Sequence, residues 1–535
     1  MTDAGVTDTG RLDTPGIPAG AHSLDPFEDH DLDPAVWQLE TVYLARPDGR
    51  VLAAAGLAAP DARGTGIEAQ PGNLTEFFPS DDVSRLAACL HDPDAERFLE
   101  TARMQPDGSR EACRLAAVPR CTEGHMAVFV YRPGSADTPE GFRRPDAKRF
   151  ARLATRVLCE RSGVVSLLAL GTPDGAGLPR DRAARHRDAV LGHLTTFAPQ
   201  VDAVVGLGPG VFAVVHTEAD EIEAVIDGVR ALRDQVQGPT QVVHGTLQAV
   251  DVRNVVAADV TRALTCTLRR WASTEFWSLE SGTGAVATLF AEALADVRRF
   301  SAVVDTHAFD LVFQPVVAIA GTTVAHWEAL TRFHAEPDLS PRMRLKSGAE
   351  LEMLPVFDLA VARQVVATLA GMPKDRGTVL AINLSAPSLR HPDLIQHLLA
   401  IVSARGFPPG RLILEIPTDV DGADWDGVRR FVTAARFLGF GVCLDDFSCD
   451  GPSLRCLSEI DIDQVKLDGA QFFRDGASRR ELIMLRAFVD MAQQLGIATI
   501  AKLVDTPDKR EQARSFGFDM VQGHLSGAPR NRPRD

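Results

Sequence analysis

The sequence predicts a multidomain α/β protein in which two small α+β domains precede a carboxyl-terminal (β/α)8 barrel of the TIM-like kind. Three observations support this fold class: the length of 535 residues, hairpin patterns in the first half, and regularly spaced short apolar runs over about the last 230 residues. A single hydrophobic core rarely serves more than about 250 to 300 residues, so a chain of this length divides into several domains.

The composition is that of a soluble globular protein, with 45% apolar and 24% charged residues. No apolar run approaches the roughly 18 residues of a membrane span, and the first 33 residues lack the basic and apolar regions of a signal peptide. We therefore expect a cytoplasmic protein without membrane contact. The net charge of −16 opposes a broad DNA-binding surface but leaves a small anionic ligand open. The eight cysteines show no CxxC pair or zinc-site spacing, so we expect reduced core thiols.

The first 133 residues divide into an arm and a small domain. Residues 1–33 are rich in Asp, Gly, Pro and Thr and predict a disordered acidic arm. Residues 34–133 contain the hairpin patterns ETVYLARPDGRVLAAAG and MQPDGSREACRLAAVPRCTEGHMAVFVYRP, with the helical stretch SDDVSRLAACL between them. This pattern resembles a PAS sensor domain, although no residue marks a haem or flavin site.

A linker at 134–147 leads to a second α+β domain at 148–283. Its hairpin VDAVVGLGPGVFAVVH resembles the signature turn of GGDEF diguanylate cyclases, but Gly210 and Val211 replace the acidic pair that holds metal there. The resemblance implies a degenerate domain without diguanylate cyclase activity; an unrelated α+β domain with an ordinary hairpin is the alternative. A helix over 284–305 follows, and we expect it to pair with a second copy in a homodimer.

The barrel, residues 284–535 with this leading helix, is predicted from eight apolar runs that contain or close on polar residues. They are VFQPVVAI with Gln314, VAHWEAL with Glu328, TVLAIN with Asn383, RLILE with Glu415, GVCLDD with Asp445 and Asp446, IDQVK with Lys466, IATIAK with Lys502, and DMVQ with Gln522. Parallel strands of a barrel all end at one face, here called the rim, so these side chains are expected to converge there.

A single carboxylate at a strand end is more often a helix cap or a solvated terminus than a ligand. The ordered set of polar residues is a stronger signal than any one of them, because independent helix caps need not fall one per strand. Asp468 is an exception, since a turn or salt-bridge role is at least as plausible for it as a functional one.

The set resembles the EAL family of cyclic-di-GMP phosphodiesterases over about residues 290–532. The matching motifs are FQPVV, EALTRF, INLS, LEIPTD, LDDFS, VKLD, AKLVD and VQGHLSGAP. Spacings of 55, 32 and 30 residues separate Glu328, Asn383, Glu415 and Asp445. A chance barrel has no reason to reproduce both this order and this chemistry.

The resemblance implies a metal-dependent site for cyclic-di-GMP. Oxygen donors suit Mg²⁺ or Mn²⁺, and the implied ligands are Glu328, Asn383, Glu415 and Asp445, with Asp446 completing a second metal site that shares Asp445. The implied catalytic residues are Asp446 and Lys466, which would activate a water and stabilise developing charge. Arg332 matches the phosphate contact of the family, and Gln314 and Gln522 match positions that contact the nucleotide or order the site.

Three departures from the family concern catalysis. Lys502 occupies the position of the glutamate in the AEGVE motif, and an ammonium with a pKa near about 10.4 cannot accept a proton at neutral pH. The loop that reads DDFGTGYSSL in the family is DDFSCDGPSL here, where Pro452 removes a backbone donor. Thr418 replaces the glutamate that anchors this loop.

We therefore hypothesise a cyclic-di-GMP-binding or scaffolding regulator that hydrolyses the ligand very slowly or not at all, and that can act on a protein partner in a signalling pathway. In one version Lys502 contacts a phosphate and replaces the second metal as counter-charge. The alternatives are an active phosphodiesterase that produces linear pGpG, and a barrel that has lost the nucleotide.

Overall fold

The computed structural model describes three folded units. The described residues are 37–46, 50–56, 73–89, 99–104, 110–119, 125–133, 147–171, 187, 189–198, 203–208, 210–216, 221–232, 241–249, 251–273, 285–334, 348–373, 377–391, 393–418, 425–448, 451–473 and 478–533. The predicted arm at 1–33 lies outside them, as does the linker except for its last residue, with which a helix begins.

The first unit is a five-stranded antiparallel sheet in the order β2-β1-β5-β4-β3. Its strands are β1 Trp37–Ala45, β2 Val51–Gly56, β3 Leu99–Met104, β4 Arg110–Pro119 and β5 Met126–Pro133. Helix α1, Ser80–Cys89, follows a short 3-10 turn at Leu74–Glu76. Both predicted hairpins are confirmed, and one face of the sheet forms a separate core with residues of α1 such as Val83 and Leu86.

The second unit is a four-stranded sheet in the order β7-β8-β6-β9. Its strands are β6 Val164–Gly171, β7 Val204–Gly208, β8 Val211–His216 and β9 Gln241–Leu247. Its helices are α2 Ala147–Glu160, α3 Glu221–Ala231 and α4 Ala257–Ser273, with a further helical stretch at 189–194. The predicted hairpin is present as β7 and β8, and Gly210 in its turn has φ 73, which favours glycine.

The leading helix is α5, Ala285–Asp305, close to its predicted bounds. Its apolar face includes Phe290 and Val297, which are buried, and α5 packs along α4 and β9 of the same chain. The sequence did not predict that the apolar face of α5 packs against elements of its own chain. Homodimer formation through α5 stays a prediction.

The third unit is a closed eight-stranded barrel. Its strands are β10 Phe309–Ala318, β11 Val324–Phe333, β12 Leu380–Asn383, β13 Leu412–Pro417, β14 Gly441–Phe447, β15 Gln464–Leu467, β16 Ala498–Ala501 and β17 Met520–Gln522. The helices are α6 Leu354–Ala370, α7 Ala386–Leu389, α8 Leu394–Ser403, α9 Trp425–Leu438, α10 Gly451–Glu459, α11 Gly469–Phe472, α12 Arg479–Gln494 and α13 Pro507–Phe516, with a 3-10 turn at Pro409–Arg411.

Local sequence signals set the ends of the last helices. Ser478 and Glu481 form a reciprocal capping box at the start of α12. Thr506 caps α13, Pro507 takes its first position, and Gly517 ends it in a left-handed conformation with φ 90.

One strand departs from the all-parallel prediction. β10 is antiparallel to both of its neighbours, β11 and β17, whereas the pairs from β11 to β17 are parallel. The connection between β10 and β11 runs only from 319 to 323, too short for the crossover that parallel strands need. Gln314 therefore lies within its strand rather than at its end, and its register partner is Glu328.

The outer face of the first sheet packs against the barrel. Phe129 and Tyr131 of β5 belong to the same hydrophobic core as Leu398 of α8 and Phe431 of α9. The Tyr131 hydroxyl donates a buried hydrogen bond of 2.8 Å to Oε1 of Gln396 on α8. Strands of the amino-terminal unit and helices of the barrel thus share one interface.

Candidate functional site

Strand periodicity places the site residues inside the barrel. One layer of its interior is apolar and consists of Val316, Ala381, Ile413, Cys443, Ile500 and Met520. Two residues along the same strands, or just past the end of β16, lie Gln314, Asn383, Glu415, Asp445, Lys502 and Gln522. Because alternate side chains of a strand share a face, the polar layer stands directly on the apolar one, toward the rim.

Lys466 is the centre of the polar layer. Its side chain is fully buried, and Nζ lies 2.7 Å from Oε2 of Glu328 and 2.6 Å from Oε1 of Glu415. Burial opposes the positive charge, but the two carboxylates outweigh burial and hold the pKa of Lys466 well above its usual value. The ammonium is therefore a fixed cation between two glutamates.

Glu328 is held by three donors. Besides Lys466, Asn383 Nδ2 donates to Oε1 at 2.9 Å and Gln522 Nε2 donates to Oε2 at 2.6 Å. Burial opposes ionisation, but Lys466 and these hydrogen bonds outweigh it and hold the pKa of Glu328 below its usual range. The same Gln522 group lies 3.4 Å from Oε1 of Gln314. The structure thus brings five predicted residues into one network.

Glu415 completes an acidic group suited to a metal ion. Oxygens of Glu328, Glu415 and Asp445 lie within 4.8 Å of one another. The Glu415 carboxylate is buried, with Oε1 2.6 Å from Lys466 Nζ and with Oε2 lacking a hydrogen-bond partner among the described residues. Burial, and then the charge of Glu328, raises the pKa of Glu415 well above its usual range. A divalent ion would remove this penalty, and Asn383 retains its amide oxygen for such an ion because only its nitrogen is bonded to Glu328.

A bulge presents two consecutive aspartates at the rim. Between β14 and β15 the register advances from Leu444 to Phe447 on one strand but only from Val465 to Leu467 on the other. Asp446 in this bulge has φ 53, a left-handed conformation that is uncommon for residues other than glycine. Its neighbour Phe447 is buried and stacks on Phe488 of α12, with ring centroids 4.3 Å apart.

Lys502 binds both of these aspartates. Its Nζ lies 2.9 and 3.2 Å from the two oxygens of Asp445 and 2.7 Å from Oδ1 of Asp446. The side chains of Lys502 and Asp445 are 21% and 14% exposed, whereas that of Asp446 is 72% exposed. Burial disfavours the ammonium, but the two aspartates outweigh it and raise the pKa of Lys502. Lys502 is therefore a stable cation at neutral pH.

Close backbone contact fixes the position of Lys502. A Cβ atom at Gly469 would lie 2.1 Å from the carbonyl oxygen of Lys502, and one at Gly523 would lie 2.3 Å from the carbonyl oxygen of Val504. Leu503, between these two contacts, has φ 59. The two glycines allow the neighbouring strand ends to hold this strained segment from both sides.

Two hydrogen bonds anchor the loop after Asp446. Thr418 Oγ1 donates a hydrogen bond of 3.3 Å to the carbonyl oxygen of Asp446. The hydroxyl of Ser453 accepts one of 3.3 Å from the backbone nitrogen of Ser448. Pro452 lies in the first turn of α10, where a backbone N–H has no acceptor within the helix. Cys449 and Asp450 lie outside the described residues.

Two of the residues considered in the sequence analysis lie outside the buried network. Arg332 is exposed at the end of β11 and donates to the carbonyl oxygen of Thr331 at 2.9 Å, outside the buried network. Asp468 is the N-cap of α11 and accepts from the backbone nitrogen of Ala470 at 2.9 Å. Of its two predicted readings, the structure thus shows the turn role.

His326 was not singled out from the sequence. It lies two residues before Glu328 on β11 and is 1% exposed. Burial, and then the charge of Lys466, lowers the pKa of His326 to about 3, so the imidazole is neutral. Its Nε2 has no hydrogen-bond partner among the described residues. The alternation of strand side chains from Glu328 would have identified it as an interior residue.

The predicted thiols are mostly core residues in the described part of the chain. Cys113, Cys266, Cys443 and Cys456 are buried thiols, whereas Cys159 is exposed. None of the described helices combines the length and the apolar character needed to cross a membrane.

Comparison with known proteins finds a family model that matches the barrel. Residues 297–529 match the family model described as the EAL domain, which covers less than half of the chain. An uncharacterized protein of Mycobacterium tuberculosis is 29% identical over 231 residues, which are 41% of this chain and 74% of that protein. The cyclic di-GMP phosphodiesterase NbdA of Pseudomonas aeruginosa is 28% identical over 41% of this chain and 29% of its own length.

Among solved structures, the EAL domain of Xanthomonas citri FimX in complex with c-diGMP is 21% identical. The similarity covers 44% of this chain and 93% of that domain, with a TM-score of 0.40. The EAL resemblance predicted for the carboxyl-terminal part is thus confirmed by the family match. The PAS-like and GGDEF-like assignments stay predictions.

Proposed function

We propose that the EAL barrel binds cyclic di-GMP as a regulatory ligand and hydrolyses it slowly or not at all. The EAL match and relatives described as cyclic di-GMP phosphodiesterases support the choice of ligand. The proposal that hydrolysis is impaired is based on the contact of the Lys502 ammonium with both Asp445 and Asp446.

Hydrolysis of a phosphodiester by water needs a group that accepts the proton of the attacking water. Lys502 cannot be that group, because the two aspartates stabilise its protonated form. The Asp446 oxygen that faces Lys502 is already hydrogen bonded to the ammonium at 2.7 Å. Lys466 is likewise a protonated, fully buried cation. The polar layer can therefore stabilise negative charge, but it accepts the proton of an attacking water poorly.

The residues fit one divalent ion, Mg²⁺ or Mn²⁺, held by Glu328, Asn383, Glu415 and Asp445. Such an ion would neutralise charge on a phosphoryl oxygen and acidify a bound water. Lys466 would hold Glu328 and Glu415 in place around it.

The nucleotide contacts of this proposal lie around the same layer. Arg332 is open to solvent at the rim and supplies a cation for one phosphate, with Lys502 as a second candidate. Gln314 and Gln522 supply amide groups next to Glu328. These polar groups surround the mouth of a closed barrel, the usual location of ligand sites in such folds.

The amino-terminal units are proposed as the input side of the protein. In this proposal the PAS-like unit receives a signal, the GGDEF-like unit is catalytically inactive, and the cytoplasmic chain acts as a homodimer or through a protein partner. The contact between the first sheet and α8 supports direct communication with the barrel.

The second candidate function is a working phosphodiesterase that produces linear pGpG. The preserved oxygen donors favour it, as does the retained contact between Thr418 and the Asp446 carbonyl. In this case Asp446 and Lys466 would activate the water without a glutamate at position 502.

Calorimetry with cyclic di-GMP, with and without Mg²⁺, and chromatography for the linear product distinguish the candidates. We expect binding to the wild type without turnover over hours, weaker binding by Arg332→Ala, and at least a tenfold gain in hydrolysis for Lys502→Glu. Arg405→Glu is the control, because it makes the same charge change at an exposed site beyond α8, away from the rim. Wild-type turnover that Lys502→Glu leaves unchanged would show that Lys502 does not impair the site. Absence of binding would exclude both candidates.

A further inference from the structure

The charges of the polar layer match one divalent ion rather than two. Glu328, Glu415, Asp445 and Asp446 contribute four carboxylates, and Lys466 and Lys502 contribute two ammonium groups. The layer therefore has a formal charge of −2 when all of these groups are ionised. A single divalent ion neutralises it, whereas two ions would leave an excess of +2.

The geometry also separates the two possible ion positions. On one side, the oxygens of Glu328, Glu415 and Asp445 approach one another within 4.8 Å, and Oε2 of the buried Glu415 has no hydrogen-bond partner among the described residues, although Lys466 Nζ lies 2.6 Å from Oε1. On the other side, the pair Asp445 and Asp446 has three contacts of 2.7 to 3.2 Å with Lys502 Nζ. A divalent ion between these aspartates would have to displace an ammonium at hydrogen-bonding distance.

The surrounding structure restrains Lys502 next to Asp445 and Asp446. Gly523 closely approaches Val504, two residues beyond Lys502, and Gly469 closely approaches the carbonyl oxygen of Lys502 itself. The Lys502 side chain is only 21% exposed. The bulge that turns Asp446 toward Lys502 places both partners on short, fixed segments rather than on a long loop.

We infer that this barrel holds a single divalent ion, at Glu328, Asn383, Glu415 and Asp445, and that Lys502 takes the place of a second ion at Asp445 and Asp446. The residues thus fit one position of a two-metal site and do not fit the other. The inference concerns metal binding alone, so it holds or fails independently of whether cyclic di-GMP binds.

Titration of the metal-free full chain with Mn²⁺, followed by calorimetry and electron paramagnetic resonance, tests this inference without nucleotide. We expect one tightly bound Mn²⁺ per wild-type chain with the spectrum of an isolated ion. Lys502→Glu should bind two ions with a spin-coupled spectrum, because the new carboxylate and the released Asp446 can complete a site that shares Asp445. Arg405→Glu should bind one ion, as the wild type does.

Glu415→Gln identifies the position, because Glu415 belongs to the proposed site and not to the pair Asp445 and Asp446, and its loss should weaken the first binding event at least tenfold. Two coupled ions in the wild type, or no tight ion at all, would overturn the inference. It would also fail if a folded Lys502→Glu chain still bound one ion, or if Glu415→Gln left wild-type affinity intact. Circular dichroism of each variant confirms folding, and the wild-type stoichiometry decides the matter if Lys502→Glu does not fold.

Discussion

Gln314 on β10 and Glu328 on β11 lie directly opposite each other in the antiparallel pair where the barrel closes. Gln522 on β17 bridges them, with 2.6 Å to Glu328 and 3.4 Å to Gln314. The reversed strand thus joins three polar side chains across the seam of the barrel, and it places the uncharged donor Gln522 next to a buried carboxylate.

Gln522→Ala should destabilise the barrel by about 1 to 3 kcal/mol, because Glu328 loses a buried donor and keeps its charge. Native-state hydrogen exchange of the strand amides measures this loss. Gln493→Ala is the matched control, since its exposed amide donates only to the carbonyl oxygen of Gly517 and should cost less than about 1 kcal/mol. Equal effects of the two substitutions would contradict a special role for the seam.

Lys466→Met should cost about 3 to 5 kcal/mol in the presence of EDTA, because it leaves Glu328 and Glu415 buried without their cation. Added Mg²⁺ should restore part of the loss by taking over the neutralising charge. Urea denaturation with and without Mg²⁺ provides the measurement. Lys509→Met, at a lysine whose side chain is 32% exposed, is the control. A loss below about 1 kcal/mol in EDTA would argue against this ammonium as the central counter-charge.

Asp358 on α6 should make folding stability depend on pH. Burial raises its pKa to about 6, although Ser385 and Ser388 donate to its Oδ2. Between pH 3.8 and about 6 the folded state therefore binds more protons than the unfolded state. Protonated Asp358 stabilises the folded state, and this contribution is complete below this range. The contribution, about 3 kcal/mol, is lost as pH rises through the folded pKa.

Asp358→Asn should remove this dependence, so the stability of the variant relative to the wild type should rise by about 2 kcal/mol from pH 4 to pH 7. Urea midpoints across this range test the difference, with the exposed Asp490→Asn as control. Parallel pH curves for wild type and Asp358→Asn would refute the assignment. Because Ser385 follows Asn383 by two residues, the same bonds hold the turn that carries a candidate metal ligand.

Tyr131→Phe should weaken the interface between the first sheet and the barrel by about 1 to 3 kcal/mol, because Gln396 Oε1 loses a buried donor. Burial, and then the charge of Asp393, raises the pKa of Tyr131 well above its usual value, so the phenol remains a donor at neutral pH. Faster hydrogen exchange of α8 amides is the expected readout. Tyr43→Phe, which removes a contact with Arg103 inside the first unit, should leave α8 unchanged. Unaltered α8 exchange in Tyr131→Phe would contradict this role.

The sequence by itself determined the eight barrel strands, their polar residues and the cation at position 502. Strand length, the alternation of side chains and the order of motifs are local properties, and for these the prediction was confirmed. The predicted hairpins of the two amino-terminal units were recovered for the same reason. The metal and nucleotide roles of the individual residues remain proposals.

The tertiary structure alone decided how these residues meet. The pairing of β10 with β17, the bulge that turns Asp446 toward Lys502, and the neutral buried His326 all depend on neighbours distant in sequence. The same is true of α5, whose apolar face is covered within one chain. Charge pairing and burial arise from contacts between strands that are distant in sequence. The sequence therefore predicts which charged residues are present, but it does not predict the partners that set their protonation.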